Sequence, residues 1–487
     1  MFSDLDGVSK CAIESLHDDF KYKMMSTSQS MYMQALINGH DMLVRAGTGT
    51  GKTIGFLLPL LTRLLDSKNT VATGSTNKKP LLVAAVIVSP ARELAEQTLE
   101  QARRLLARCP KSLSVHALVG GVRSTSGDRS ALNDAALRGE RIVAVVTPGR
   151  LMEHMQSTPG FSEGLAKHGR VLVLDEVDRL LDPGFRPVVM KVAAAMANPE
   201  RQTLLFTATA SKDVQELSRS LLKGDDTFLN AGASEAQGSA GAAHNANVKQ
   251  EAVLVRADQM VPVIREEFLS EKDGLTVIFV PTAAMASTLA SILRSYKDAG
   301  TSVFEIHSRL SQGQRSRAVS DFKNAKPPAA IVATDVFARG LDVSGVTLVL
   351  QLGIAPDNAQ VAHRVGRTGR GGAKGRALMV LAMSEERVLR DLIDREKMPI
   401  VLRPAYTYEL PPPPPPVSPH APCKTFIASI GFYKAQMKRL GWKSNELVPF
   451  VYEMFASLGV NTISACPVNA KLVKKMGLPA DHGLKIQ

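Results

Sequence analysis

Two parallel-sheet α/β domains in tandem, followed by a small C-terminal helical region, are the fold this sequence predicts. Three observations predict it. Short aliphatic and β-branched runs alternate with helical segments, the signature of a parallel sheet. That pattern stops at a stretch of small polar residues, AGASEAQGSAGAAHNAN (231–247), and then restarts. Beyond a six-proline run at 411–416, strand patterning gives way to helical periodicity. The chain has 487 residues, enough for two or three domains. Its 45% hydrophobic and 22% charged residues are an ordinary globular balance.

The expected strands of the first domain (1–230) are LLVAAVIVSP (81–90), RIVAVVTP (141–148), RVLVLDE (170–176) and QTLLFTAT (202–209). Each ends in polar, small or acidic residues, at the side of an open parallel sheet where ligands sit. Residues 66–80, DSKNTVATGSTNKKP, read as a polar insertion forming a mobile loop. Residues 231–247 read as a flexible linker. The second domain (248–410) carries LTVIFV (275–280), SVFEIH (302–307), AAIVAT (329–334), VTLVLQLG (346–353) and RALMVLA (376–382). The two halves are not obvious repeats of each other. Residues 411–423 read as an extended proline spacer, with an SH3-type ligand role open beside it.

Lysine and arginine total 59 against 46 acidic residues, a net charge of +13 and a pI near 9.5. Such a balance favours polyanionic partners: RNA, DNA or an anionic membrane. The four cysteines, Cys11, Cys109, Cys423 and Cys466, form no CxxC pair, which argues against a zinc or redox motif. Their spread suits free thiols in a reducing compartment. No apolar run approaches the roughly 20 residues a membrane-spanning helix needs. The first residues, MFSDLDGVSK, lack a signal h-region and carry acids where a mitochondrial presequence has arginines. They point to the cytosol or nucleus, unless a targeting segment is missing or unorthodox.

The strongest local signal is AGTGTGKT: Ala46, Gly47, Thr48, Gly49, Thr50, Gly51, Lys52 and Thr53. A Walker A loop needs glycines so that backbone N–H groups can cradle phosphates. Lys52 reaches the β- and γ-phosphates and the Thr53 hydroxyl ligates Mg²⁺. A short strand (42–44) precedes the loop and an apolar helix (54–65) follows it, which is the required context. Such a loop needs acidic partners on a neighbouring strand, and VLVLDEVD supplies them. Asp175 holds Mg²⁺ through water, and Glu176 orients or deprotonates the attacking water. HRVGRTGR (363–370) presents Arg367 and Arg370 on a glycine-punctuated turn, as arginine fingers that add roughly 10³–10⁵ in rate.

Over residues 2–400 these motifs, in this order, resemble the DEAD-box RNA helicases. Gln29, upstream of GHD (39–41), resembles the adenine-reading Q-motif glutamine, and Phe2 the aromatic residue that stacks on adenine. PARELAEQ (90–97), Gly120 with Gly121, and TPGR (147–150) resemble the first-domain RNA motifs, implying RNA contacts from Pro90, Arg92, Gly121, Thr147 and Arg150. TAT (207–209) resembles the motif that couples ATP to domain closure, with Thr207 and Thr209 joined in that role by Asp178 and His363. VIFVPT (277–282), the spacing of His307, Gln312 and Arg315, and ATDVFARGLD (333–342) match the second-domain motifs. They imply RNA contacts from Arg315 and Thr334, and nucleotide contacts from Gly340 and Asp342. Departures are Val177 within DEVD, Ala91 in place of a threonine, Thr207 in place of a serine, and Val361 where a tyrosine often stands.

The resemblance implies two RecA-like domains that close over ATP, Mg²⁺ and duplex or structured RNA, with weak sequence preference and no obligate homo-oligomer. Rival readings are a noncatalytic RNA-binding assembly factor and a translocating helicase of the broader superfamily. A narrower resemblance, at residues 306–324 and in the C-terminal region, is to the organellar RNA-chaperone branch. It implies mitochondrial RNA processing or a ribonucleoprotein or ribosome-assembly particle as partner.

In that C-terminal region (424–487), Leu447, Phe450, Val451, Met454, Phe455 and Leu458 fall at helical spacing, as a stripe expected to pack on the second domain. Pro449 is expected in the first turn of that helix, where proline is tolerated. Nine Lys/Arg against three acids give +6 over 64 residues. That density suits a phosphate-binding surface, including Lys471, Lys474 and Lys475, with a protein-docking role left open.

Overall fold

The structure is a computed structural model that describes residues 1–47, 49–66, 79–121, 124–209, 211–223, 228–231, 247–295, 301–337, 343–370, 373–404 and 421–458. The chain divides into two compact units, Met1–Ser239 and Ala240–Gln487. The expected linker between its end residues, most of the polar insertion and the proline run lie outside the described residues. So do Thr48, Gly340, Asp342, Cys466 and the lysines at 471, 474 and 475.

In the first unit, β1 (Met42–Arg45), β2 (Leu82–Val88), β3 (Leu113–Leu118), β4 (Arg141–Val146), β5 (Val171–Asp175), β6 (Gln202–Thr207) and β7 (Phe228–Asn230) form one parallel sheet. Its order is β3-β4-β2-β5-β6-β1-β7. The expected strands are the central ones, buried on both faces and therefore continuously apolar. Because side chains alternate along a strand, the sheet buries two separate cores. On one face Val44, Ile87, Val145, Val173 and Phe206 meet α1 (Lys10–Asp18), α2 (Thr27–Ile37), α3 (Lys52–Asp66) and α4 (Arg92–Leu105). On the other, Val86, Ala144, Leu172 and Leu205 meet α5 (Thr125–Leu137), α6 (Pro148–Ser157), α7 (Phe161–His168), α8 (Val177–Leu180), α9 (Arg186–Ala195) and α10 (Lys212–Leu221).

Packing of α1 on α4 corrects one expectation. Cys11 in α1 and Cys109, just past α4, are joined by a disulfide, with Cα atoms 5.1 Å apart although 98 positions separate them in the chain. Cys423 is not in a disulfide, as expected.

The second unit repeats the plan. Strands β8 (Val248–Val255), β9 (Leu275–Phe279), β10 (Ser302–Ile306), β11 (Ala329–Ala333), β12 (Val346–Leu352), β13 (Gly375–Ala382) and β14 (Ile400–Arg403) order as β10-β11-β9-β12-β13-β8-β14, all parallel. Around them lie α11 (Met260–Ser270), α12 (Ala283–Ser295), α13 (Gln312–Lys323), α14 (Asn358–Val365) and α15 (Glu386–Asp394).

The C-terminal helices α16 (Ala421–Leu440) and α17 (Ser444–Ala456) belong to the same hydrophobic core. The expected stripe from Leu447 to Leu458 is buried there, each side chain contributing roughly 1.5–3 kcal/mol. An aromatic cluster closes the seam: Tyr433 and Trp442 each place their ring centroid 4.7 Å from Phe450. Pro449 departs from expectation, because α17 begins at Ser444 and the proline falls in the second turn. The ring is on the exposed side, and it meets a helix held from the other face by Val448 and Phe450.

Candidate functional site

Strand order places the ends of β5, β6 and β1 side by side in the first unit, and the candidate nucleotide residues follow those ends. The glycine loop leaves β1 with the Ala46 N–H donating to the Thr207 carbonyl of β6 at 3.0 Å. Gly49 and Gly51 have φ of +77° and +83°, a region glycine enters without strain. Lys52 Nζ donates to the Ala46 carbonyl at 3.0 Å, and Thr50 Oγ1 to Gly47 at 2.9 Å, so the loop is folded on itself. Thr53 stands in the first turn of α3.

Helix α2 braces this loop from outside. Ser26 caps α2, accepting from the Gln29 N–H at 3.2 Å, while Gln29 Oε1 accepts from the Ser26 N–H at 2.8 Å. The other end of the same amide donates to the Gly51 carbonyl at 2.9 Å, and Ser26 Oγ donates to Thr50 at 2.8 Å. Gln29 is only 5% exposed. A β-carbon at Gly51 would lie 2.6 Å from Gln29 Nε2, so this closeness requires glycine. Ser26 was not singled out in the sequence, although its S-x-x-Q spacing is a capping-box signature. Phe2, expected to stack on a base, is 1% exposed and part of the core, so here its ring serves packing instead.

The carboxylates follow β5. Asp175 is fully buried, and its carboxyl is pushed up to about 7 by burial and by the charge of Glu176, with Lys52 opposing. Glu176 has φ +52°, left-handed backbone in a non-glycine residue, which costs roughly 1–3 kcal/mol and is characteristic of active sites. Its N–H donates to Asp175 Oδ1 at 3.0 Å, and its Oε2 is buried without a hydrogen-bond partner. Two crowded carboxylates, one of them with a buried oxygen lacking a hydrogen-bond partner, fit a divalent cation. Among the described residues no cluster of three or more His, Cys, Asp or Glu is placed to hold a metal. A cation carried in on phosphate oxygens is what this donor set suits. Thr207 Oγ1 donates to the Thr209 carbonyl at 2.8 Å, and Thr209 Oγ1 lies 3.4 Å from Asp178 Oδ2, joining the ends of β6 and β5.

The other half of the same edge, β3-β4-β2, carries the expected RNA residues. Pro90 and Arg92 follow β2, with Arg92 opening α4. Gly121 follows β3 at φ +82°, and Thr147 follows β4 as the N-cap of α6. Arg150 is placed differently. It is 9% exposed, with Nε and Nη2 on Asp128 Oδ2 at 3.0 and 2.7 Å and Nη1 on Glu153 at 2.8 Å. His154 Nε2 lies 3.2 Å from the same Asp128 oxygen. Arg150 thus ties α5 to α6 behind the loop instead of presenting its charge outward.

In the second unit, the arginine motif spans α14 and the turn after it. Arg367 is 3% exposed, its Nε donating to the His363 carbonyl at 3.2 Å; Arg370 Nε donates to Gly366 at 3.1 Å. His363 is fully buried. Arg364, not singled out in the sequence, is also fully buried, paired with Asp335 at 2.7 and 3.2 Å over the Phe279 ring. It anchors the arginine turn to the end of β11, where Thr334 stands. Arg315 lies in the first turns of α13, mostly buried.

The profile described as "DEAD/DEAH box helicase" matches residues 26–217, and that described as "Helicase conserved C-terminal domain" matches residues 259–372. DEAD-box ATP-dependent RNA helicase 31 of Oryza sativa subsp. japonica is 35% identical over 473 residues, covering 95% of this chain and 82% of its own. Its namesake in Arabidopsis thaliana is 34% identical, covering 96% of this chain and 63% of its own. Among solved structures, the DEAD-box helicase Mss116 bound to ssRNA and UDP-BeF superposes with a TM-score of 0.84 at 24% identity, covering 99% of this chain and 96% of that one.

Proposed function

Because this chain belongs to the DEAD-box ATP-dependent RNA helicases, we propose that its first unit holds ATP and an RNA strand side by side. The second unit completes the hydrolytic site when RNA and ATP draw the two units together. The observation that carries the reading is the division of one sheet edge, nucleotide motifs after β5-β6-β1 and RNA motifs after β3-β4-β2. In this reading Lys52 leaves the Ala46 carbonyl for the β- and γ-phosphates. Thr53 and Asp175 would hold Mg²⁺, which would supply positive charge at the phosphates. Glu176 orients a water for attack on the γ-phosphorus as the bond to the ADP oxygen breaks. Arg367 and Arg370 take up the charge that develops there. Gln29 reads adenine, Asp342 binds the ribose, and Gly340 joins it in binding the nucleotide. The turn joining Thr207, Thr209 and Asp178, together with His363, couples the nucleotide to closure.

Pro90, Arg92, Gly121, Thr147, Arg315 and Thr334 grip the sugar-phosphate backbone, so sequence preference is weak and unwinding local. The likeness of residues 306–324 and of the C-terminal region to organellar RNA chaperones supports a structured RNA or ribonucleoprotein substrate in an organelle such as the mitochondrion. The test is hydrolysis measured with ATP and with GTP, each with and without structured RNA. Strong RNA stimulation with ATP and little use of GTP is the expected result. Equal use of both nucleotides, or RNA-independent turnover, contradicts it.

A further inference from the structure

The arginine turn is launched by α14, and α14 is held from an unexpected direction. The loop 353–358 that leads from β12 into α14 is held by two elements. Glu385 accepts from the Ile354 N–H at 3.3 Å and from the Ala382 N–H at 2.9 Å. Helix α16 of the C-terminal region meets the same loop. Its Tyr433 hydroxyl comes so close that a β-carbon at Gly353, where φ is +71°, would lie 2.5 Å from it. Its Arg439 donates through Nη1 to the Ala355 carbonyl at 2.6 Å and through Nη2 to Asn358 Oδ1. Asn358 is the first residue of α14, and its Nδ2 donates on to Glu396 at 3.0 Å. Asp357 caps the helix, accepting from the Gln360 N–H at 2.8 Å. At the far end of these eight residues, the His363 and Gly366 carbonyls accept from Arg367 and Arg370.

We infer that Arg439 is a positioning residue for hydrolysis: it sets the start of α14, and through that short rigid helix the placement of Arg367 and Arg370. A guanidinium suits this task, because its planar fork holds the Ala355 carbonyl and Asn358 Oδ1 in fixed directions, whereas the donors of an ammonium rotate on a flexible stem. The Trp442–Phe450–Tyr433 cluster seats α16, and Trp442 Nε1 donates to the Ser384 carbonyl at 3.0 Å, so Arg439 acts from a fixed platform. The C-terminal region then contributes to the chemical step as well as to packing. The inference rests on the reading that Arg367 and Arg370 serve the γ-phosphate.

The test is a set of full-length variants assayed at saturating RNA. Arg439→Met keeps the packed stem and removes both hydrogen bonds. Its expected effect is a fall in kcat of about tenfold, because small misplacements of catalytic groups are costly, with KM for ATP and RNA within about twofold. Arg439→Lys, still able to reach Ala355, should recover part of the loss, and Asn358→Ala should reproduce it. In an Arg367→Lys background, which retains charge and residual turnover, Arg439→Met should add little, since both changes disturb one device. An equal fractional loss in both backgrounds would mean that Arg439 only keeps the unit folded, and the inference falls. Wild-type turnover in Arg439→Met, alongside a deficient Arg367→Lys, also overturns it. Wild-type turnover in Arg367→Lys and in Arg367→Ala would instead overturn the underlying reading of the arginine turn.

Discussion

The two units share one strand order. Counted from the start of each unit, both read third, fourth, second, fifth, sixth, first, seventh. Their chemistry differs completely at corresponding places. After β1 comes a glycine loop; after its counterpart β8 come Arg256 and a 3-10 turn. After β5 come two crowded carboxylates; after its counterpart β12 comes the loop that launches α14 and its arginines. Strand order supplies an edge, and the segments leaving that edge decide what it does. The units also differ in how they are secured. The first has two cores and a disulfide from α1 to the end of α4. The second has a single core that takes in α16 and α17.

If the first unit alone owns phosphate binding and water activation, Lys52→Ala and Glu176→Gln give the largest effects. Each should lower RNA-stimulated turnover by roughly 10²–10³ or more, from lost charge stabilisation and lost water positioning respectively. Glu176→Gln should still bind ATP and RNA in equilibrium assays, whereas near-normal turnover in either variant would erase the assigned difference between the units. A second contrast concerns how each unit is held. Cys11→Ser should destabilise the first unit by about 2–5 kcal/mol under oxidising conditions, since the bond closes a long loop in the unfolded chain. Hydrogen exchange should show that loss within residues 1–223 and leave the second unit unchanged; an equal effect on both would mean that the disulfide does not act on the first unit alone.

Each unit buries a carboxyl whose titration is raised, Asp175 in the first and Glu385 in the second. Burial pushes the Glu385 carboxyl up to about 7 from its ordinary 4.5. A raised acid contributes stability that is complete below its unfolded value and is lost as pH rises through the folded value. Stability of the second unit should therefore decline between about pH 4.5 and pH 7 and level off above, by about 3 kcal/mol for a shift of that size. Glu385→Gln should flatten this decline in denaturant titrations, and an unchanged pH dependence would remove Glu385 as its cause. The smallest effect is electrostatic. Arg92→Ala should reduce the slope of log affinity against log salt by about 0.7 for single-stranded RNA, if Arg92 neutralises one phosphate. An unchanged slope would move the RNA path away from the end of β2.

What could be read from the sequence follows from burial. Central strands such as β2 and β5, apolar on both faces, stand out as continuous runs. The unpredicted strands are β3, β7 and β14, which lie at sheet edges, and β8, which carries Lys249, Gln250 and Glu251. Polar residues hide β8 from a search for apolar runs, yet Glu251 is satisfied by Arg376 at 2.8 Å. The phosphate loop, the carboxylate pair and the arginine motif were legible because their chemistry needs fixed spacings along one segment. Partners far apart in the chain were not: Cys11 with Cys109, Asp335 with Arg364, and Asn358 with Arg439 meet only through packing. Phe2 and Arg150 have side chains whose types suit a ligand but whose surroundings commit them to the interior.

In the proposed division of labour, the first unit binds ATP and the second completes its hydrolysis. The direct measurement is to follow nucleotide binding and RNA-stimulated turnover together in full-length Arg367→Ala. The expected result is an ATP affinity within about twofold of wild type and turnover reduced by roughly 10³. Wild-type turnover, or a loss of ATP binding as large as the loss of turnover, would contradict it.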